Sequence, residues 1–346
     1  LTRERADMAK VFTRPLGRDG FEIAALALGS WHTWDRTTFE ETVNVIRAAV
    51  DAGAAYFDVG VYRAMHPGQF DSPTDVIFGR AIQAAGVARD DYVLQVKSWV
   101  GPSGTVGDIV ARFDQAVFRI GTDRAEIVVF GDLVGEHVPY EVIAEGAAAL
   151  VSSGRVRHWG VNNWSAAEIR RVAAAAEKAG VAPPALAQLK YGLVRRSIAE
   201  GEPYRGVIAD LGLKVQASDA LDGGFLLGKR GQRMTGNDPG DIHGLVDEAR
   251  PKLRALADEL GCTLAQLCLS YVLTNDDLCS LVVGARTSEQ INDDLGAFDL
   301  LARVGADRLR ELLAPYWLDR GRVDPASSWS SVPDDDPAKY AVIPTD

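Results

Sequence analysis

Short apolar or β-branched runs alternate with amphipathic stretches through most of the chain. The runs that read as strands are Ala24 to Leu28, Ala55 to Asp58, Tyr92 to Lys97, Ile127 to Phe130, His158 to Val161, Ala187 to Lys190, Lys214 to Ala217 and Ser280 to Val283. Between them apolar positions recur at helical spacing. Phe39, Val43, Ile46 and Val50 do so before Gly53, and Ile109, Phe113, Ala116 and Ile120 before Gly121. Ser165 with Glu168, and Thr263 with Gln266, have the capping-box spacing of helix starts. This alternation, with no linker or composition break, predicts a single α/β domain over 1–346, built as a closed (β/α)8 TIM barrel across 25–315. A doubly wound sheet is the alternative. The opening VFTRPLGRDGFEIAAL predicts an N-terminal β-hairpin over 11–24 that turns around Gly17 to Gly20 and plugs the bottom of the barrel. Residues 316–346, rich in Pro, Ser and Asp, read by composition as a loose tail or as a C-terminal arm docked on the body.

Composition narrows the classes of function. Hydrophobic residues make up 47% of the 346, ample for a large core, and the net charge is −11 with no Lys/Arg block. That balance speaks against a nucleic-acid footprint or a basic membrane-binding face, though one basic pocket could still hold a phosphorylated ligand. No apolar run approaches the roughly 18 residues of a membrane span, and the N-terminal residues lack the apolar core of a signal peptide. The cytoplasm is the expected location. Cys262, Cys268 and Cys279 read as buried reduced thiols, with a disulfide or metal site as the alternative. There is no CxxC, and the five histidines show no HxxxH pairing, so no metal is expected.

In a barrel, the residues just past each strand's C-terminal end face the active site. Here they are Trp31 and His32, Asp58 and Tyr62, Lys97, Gly131 and Asp132, Asn162 and Asn163, Gln188 and Tyr191, Ser218, and Arg286. Asp58, Tyr62 and Lys97 could form a proton-transfer unit: an ammonium beside a phenol favours phenolate, and an aspartate beside the ammonium keeps it charged and oriented. The plainer alternative is an interior ion pair next to a packing tyrosine. In GARTSEQINDDL, residues 284–295, Thr287 and Gln290 have capping-box spacing. A helix starting there behind Arg286 offers either an anion pocket suited to a phosphate or an ordinary capped helix with a solvated arginine. DGGFLLGKRG, residues 222–231, spells GxxxxGK but has Arg230 where a P-loop needs Ser or Thr, and no strand-linked GxGxxG exists. A glycine-rich loop along a pyrophosphate remains open.

ALALGSW, YFDVGVY, VLQVKSW, GRVRHWGVNNWS, AQLKYGLVRR, SDALDGGFLLGK and VVGARTSEQINDDL, in this order, resemble the aldo-keto reductase superfamily from about residue 14 to 315. The resemblance implies an NADP(H)-binding barrel that reduces carbonyls by hydride transfer with a tyrosine, a lysine, an aspartate and a histidine. Asp58 and Lys97 match two of these, and Tyr62 is the best match for the proton donor. Asn162, Asn163 and Gln188 match positions that hold the nicotinamide carboxamide, and Tyr191 the aromatic that stacks on its ring. Ser218, Leu221 and Gly223 fall in the pyrophosphate loop, and Arg286, Gln290, Asp293 and Asp294 in the segment around the adenosine and its 2′-phosphate.

Four departures accompany the match. Tyr62 follows Asp58 by four residues where the family usually has five, and the loop from Ser218 to Lys229 is one residue longer. The asparagine that reads adenine is replaced by Asp294, beside Asp293. In EIVVFGDLV, residues 126–134, the carbonyl-polarising histidine falls on Gly131. Losing such a donor typically costs about 10²- to 10³-fold in rate, and Asp132, His32 or His66 are the candidates to replace it. Three functions stay open: a carbonyl or alcohol oxidoreductase; cofactor-assisted C=C reduction, dehydration or epimerisation; and an NADP(H)-binding sensor or interaction subunit with little turnover. Loop residues such as Trp31, Trp34, Phe70, Trp317 and Trp329 suggest a medium-sized, partly apolar, oxygenated small-molecule substrate.

Overall fold

A computed structural model describes residues 11–31, 33–62, 71–100, 104–132, 138–229 and 242–328. His32, His66, Phe70 and Trp329 lie outside the described residues. Strands β1 (Thr13–Leu16) and β2 (Phe21–Ala24) form an antiparallel hairpin. There follow β3 (Leu26–Gly29), α1 (Phe39–Asp51), β4 (Tyr56–Gly60), α2 (Thr74–Ala85), β5 (Val93–Ser98), α3 (Val106–Ile120), β6 (Ile127–Phe130) and α4 (Tyr140–Ser152). The second half continues with β7 (His158–Asn162), α5 (Ala166–Lys178), β8 (Leu186–Lys190), α6 (Glu202–Leu211), β9 (Lys214–Ser218), α7 (His243–Glu259), α8 (Leu264–Leu273), β10 (Leu278–Val283), α9 (Ser288–Val304) and α10 (Ala306–Leu313). Strands β3 to β10 pair in sequence order, each parallel to the next, and β10 closes on β3. The sheet is the closed barrel, not the doubly wound alternative.

The expected first barrel strand began at Ala24; it begins at Leu26, because Ala24 pairs across the hairpin with Thr13. The hairpin is fastened to one end of the barrel by Arg14, whose guanidinium donates to the carbonyls of Leu273, Asn275 and Leu278. A second contact is the Phe21 ring, stacked on His158 at the start of β7.

The helices bury the stripes that their periodicity marks, with one exception. Ile109, Phe113, Ala116 and Ile120 are all buried on α3. On α1 the buried face is Val43, Val45, Ile46 and Ala49, whereas Phe39 is 49% exposed. As the first residue of the helix it lies beyond the turn that α1 lays against the barrel. Both capping boxes form, at Ser165 and Thr263. Cys268 and Cys279 are buried thiols, each pushed up to about 12 by burial, and Cys262 is half-buried. Among the described residues, no single helix is long and apolar enough to cross a membrane.

The stretch after α10 is docked as far as it is described. Asp319 accepts the backbone N–H groups of Arg196 and Ser197, the Trp317 indole donates to Ser197 Oγ, and Ser328 Oγ donates to the carbonyl of Asn163. The last of these contacts brings the arm to the C-terminal end of β7, where the candidate site lies.

Candidate active site at the barrel mouth

Parallel register sets which residues meet inside the barrel. Asp58 lies beside Gln95, Gly60 beside Lys97, and Gln188 beside Gln216, and the period of two turns these positions to the same, interior face. Polar groups buried there must satisfy one another. Tyr56 donates to Gln95 Oε1 (2.5 Å) and accepts from Gln216 Nε2 (2.8 Å). Gln95 Nε2 donates to Asp58 Oδ1 (2.8 Å) and Gln216 Oε1 (2.9 Å), and Gln188 Nε2 to Asp58 Oδ2 (2.9 Å) and Gln216 Oε1 (2.8 Å). Lys97 Nζ caps the network, 2.5 Å from Gln188 Oε1 and 3.7 Å from Asp58 Oδ2. Burial pushes the Lys97 ammonium down, but the attraction of Asp58, Tyr62 and Asp132 outweighs it and holds the lysine above its ordinary value. The expected Asp58–Lys97 pair exists, resting on Tyr56, Gln95 and Gln216.

Gln188, matched to the nicotinamide carboxamide, is almost fully buried with both amide hydrogens and its oxygen bonded within this network. It orients Lys97 and presents nothing to the mouth. Tyr191 likewise departs from expectation. Its ring has no exposed surface; its hydroxyl donates to Glu200 (2.5 Å) and accepts from Asn275 (3.3 Å), in a cluster shared with Tyr271. A ring covered on every side offers no stacking face.

Tyr62 reaches the network despite its short spacing. Its carbonyl accepts Ser72 N–H (2.9 Å) in an antiparallel bridge, and the side chain folds back over β4. A Cβ on Gly60 would stand 2.7 Å from the phenol ring and 2.8 Å from its hydroxyl. Glycine at 60 is what lets the phenol descend into the field of Lys97.

Gly131 follows β6 directly, and the space beside it is filled. A Cβ there would lie 2.5 Å from Cζ3 of Trp99 and closer still to its neighbouring ring carbon. The Trp99 indole N–H is taken by the Val61 carbonyl (3.1 Å), and its ring stands edge-to-face against Tyr62 at 6.3 Å. The Gly131 carbonyl accepts the Trp164 indole (2.9 Å). A tryptophan, with its donor already used, occupies the volume that a side chain at 131 would claim.

Asp132 is half-buried beside these groups. It accepts from Asn162 Nδ2 and from Asn163 Nδ2 (3.1 Å). Burial pushes its carboxyl up to about 6, against the opposing pull of Lys97 and the two asparagines. It therefore changes protonation close to neutral pH, where a group poised for proton transfer is most useful. Asn163 is held at φ 61°, and its buried Oδ1 finds no donor among the described residues. That acceptor at the mouth fits the N–H of a nicotinamide carboxamide.

The loop after β9 runs through left-handed backbone at Asp219, Asp222, Gly223 and Gly224 (φ 51°, 53°, 64° and 87°). For the two aspartates this is strained. Contacts hold it: Asp219 Oδ1 accepts Gly223 N–H (2.6 Å), while Lys190 Nζ (2.7 Å) and Arg195 Nε (3.2 Å) bind Asp222 Oδ1. Ser218, Leu221 and Gly223 are half-buried on its surface.

At α9, Thr287 caps Gln290 N–H, but Gln290 Oε1 returns to Arg286 N–H (2.8 Å) instead of completing a box. Arg286 is exposed. The Ser288 N–H (2.5 Å) and hydroxyl (2.8 Å) both point to Glu41 Oε1 on α1. Asp293 turns away to Thr263 and Gln266 on α8, whereas Asp294 is buried. Burial and the neighbouring Asp293 push the Asp294 carboxyl up to about 7, against the pull of Lys229. Asn163 Oδ1 is thus a fitting acceptor for the nicotinamide end, while at the α9 end the Ser288 donors and the Gln290 side chain are already engaged and the Arg286 side chain stays exposed. Trp31 is half-buried at the end of β3, and Trp34 is buried against Phe78.

Sequence reasoning missed Gln95, Gln216 and Tyr56, although each sits at an inward alternation step of its strand. It also missed Trp99, which lies two residues after Lys97 and so on the same face.

The family model described as Aldo/keto reductase family matches residues 25–307. An Arabidopsis thaliana protein assigned as a voltage-gated potassium channel subunit beta is 25% identical over 323 residues, covering 86% of this chain and 95% of that protein. The crystal structure of a protein assigned as a 2,5-diketo-D-gluconic acid reductase B superposes with a TM-score of 0.63 at 19% identity, covering 87% of this chain and 92% of that one. At that identity the superposition bears on the fold alone.

Proposed function

Because this chain belongs to the aldo/keto reductase family, we propose that it is an oxidoreductase that moves a hydride between a bound nicotinamide and the carbonyl or alcohol carbon of a small oxygenated substrate. The observation that carries this reading is the placement of one ammonium, Lys97, within the field of Asp58, Tyr62 and Asp132 at the barrel mouth. The resemblance implies NADP(H), and the choice between it and NAD(H) turns on the residues around Arg286. When bound, the cofactor supplies or accepts the hydride. In the reducing direction the Tyr62 hydroxyl gives its proton to the substrate oxygen, and Lys97 favours the phenolate left behind. Asp58 and Gln188 fix Lys97 from below. Asn163, with its free Oδ1, holds the carboxamide. Ser218, Leu221 and Gly223 lie along the pyrophosphate, while Arg286 and Asp294 border the adenosine.

Gly131, in the place the resemblance gives to a histidine, contributes no donor, and Trp99 has spent its own. Asp132 takes over that role in our reading: in its protonated form it donates a hydrogen bond to the substrate oxygen. Trp31 borders the substrate. Transfer of deuterium from 4-deuterated reduced cofactor to a panel of aldehydes and ketones tests the proposal. Lys97→Met is expected to lower turnover by at least about 10²-fold; unchanged turnover would refute the shared mechanism.

The likeness to the channel-subunit protein supports a second reading, a nicotinamide-binding subunit with little turnover. It predicts tight cofactor binding, no labelled product and no cellular effect of Tyr62→Phe.

A further inference from the structure

Resting on the nicotinamide-binding reading above, we infer that this chain selects the dinucleotide without a 2′-phosphate, NAD(H), and that Glu41 is the residue that makes the choice. A 2′-phosphate needs unspent N–H and O–H donors and a surplus of positive charge. At the start of α9 the helix-end donors are spent, and the exposed Arg286 is the one basic side chain of residues 284–295. The Ser288 N–H and hydroxyl, the donors of the first helical residue, both converge on Glu41 Oε1. The Ser288 N–H, followed by its hydroxyl, holds the Glu41 carboxyl below the usual range, so it is charged at neutral pH. The Gln290 side chain is folded onto Arg286 N–H and does not reach outward. Residues 284–295 carry one arginine, Arg286, against three acids, Glu289, Asp293 and Asp294, of which Asp293 is bonded to Thr263 and Gln266 and Asp294 is buried.

A phosphate entering here would displace a carboxylate from its donors and then sit beside it. A ribose hydroxyl would meet no such conflict. Glu41 Oε2 has no hydrogen bond among the described residues, and a carboxylate oxygen accepting from a ribose 2′-OH is the usual way an acidic side chain reads NAD(H). Glu41 reaches the spot because α1 lies against α9, and Thr37, just before α1, donates to the Arg286 carbonyl (3.0 Å). No local pattern betrays this contact, since residues 41 and 288 lie at opposite ends of the chain.

The test is equilibrium binding to the full chain, by quenching of tryptophan fluorescence and by calorimetry, with NADH and NADPH, and separately with ADP and adenosine 2′,5′-bisphosphate. NADH is expected to bind at least about 10-fold more tightly than NADPH, and ADP more tightly than the bisphosphate. Glu41→Gln keeps an acceptor for Ser288 and removes the charge, so it is expected to shrink both ratios by about 10-fold. Glu41→Ala, which also frees the Ser288 donors, should shrink them further. Equal or tighter binding of NADPH by the unaltered chain overturns the inference but leaves the oxidoreductase reading standing. Unchanged ratios in both variants overturn the role of Glu41. Binding of neither dinucleotide overturns both readings.

Discussion

Replacing Asp132 with asparagine should change the pH dependence of folding in a direction set by the site. The Asp132 carboxyl is raised from 3.8 to about 6, first by burial, with Lys97, Asn162 and Asn163 opposing. A raised carboxyl pKa means that the folded state prefers the protonated form. Below about pH 4 the folded and unfolded chains both carry the proton and the group contributes no difference. As pH rises from about 4 to 6 the unfolded chain loses its proton first, so folding becomes less favourable; above about 6 the full penalty is in place. A displacement of about 2 units corresponds to about 3 kcal/mol at most. Asp132 is only half-buried, and solvent screening brings the expected effect to about 1.5 kcal/mol. The amide introduced by Asp132→Asn would keep an acceptor for both neighbouring asparagines but carry no ionisable proton. Urea unfolding of both proteins, followed by far-UV circular dichroism from pH 4.5 to 8, gives a difference in stability from which the remaining carboxylates cancel. That difference should move in favour of Asp132→Asn by about 1 kcal/mol or more across the range. A constant difference, or one moving the other way, would show that the site does not hold Asp132 as an acid.

Two further substitutions probe the packing and the charge balance. Gly131→Ala should destabilise the protein by about 1–3 kcal/mol through the clash with Trp99, and Trp99→Ala in the same chain should recover part of the clash; additive losses in chemical denaturation would count against this packing. Lys97→Met should cost about 3–5 kcal/mol by leaving Asp58 buried without its cation. Adding Asp58→Asn should return part of that stability in thermal denaturation without restoring turnover. A double variant no more stable than Lys97→Met alone would mean that the pair is not coupled.

The barrel was legible because its signals are local. Strand and helix periods, capping boxes and glycine stops are written within a few neighbouring residues, and nearly every expected strand lies within two residues of its place. The exposed Phe39 shows the limit of periodicity, which marks a stripe but not where along the helix the barrel ends. Asp58, Tyr62 and Lys97 were legible because each sits at or just beyond a strand end. The roles of Gln188, Tyr191 and Gln290 were not, because they depend on which partner reaches a side chain first. Lys97, Glu200 and Arg286 respectively claim them, and these claims are made across the fold or by a local turn that spacing alone does not specify. Glu41 was invisible for the same reason.

The position of Asp132 follows from counting charges around Lys97. One ammonium faces two carboxyl groups, Asp58 and Asp132, in a setting that disfavours an unbalanced charge. Asp58 has an amide N–H on each oxygen, from Gln95 and Gln188, as well as the ammonium 3.7 Å away. Asp132 has the two asparagine amides, and burial drives its carboxyl up to about 6. Burial thus favours the protonated form at Asp132, at the mouth, as pH falls towards about 6. Trp99 reinforces the arrangement: it fills the space beside Gly131 with a ring whose N–H is committed to Val61, so neither residue offers a side-chain donor there. Under the proposed function Asp132 would supply the hydrogen bond to the substrate oxygen in its protonated form, a contribution that falls away as pH rises past about 6.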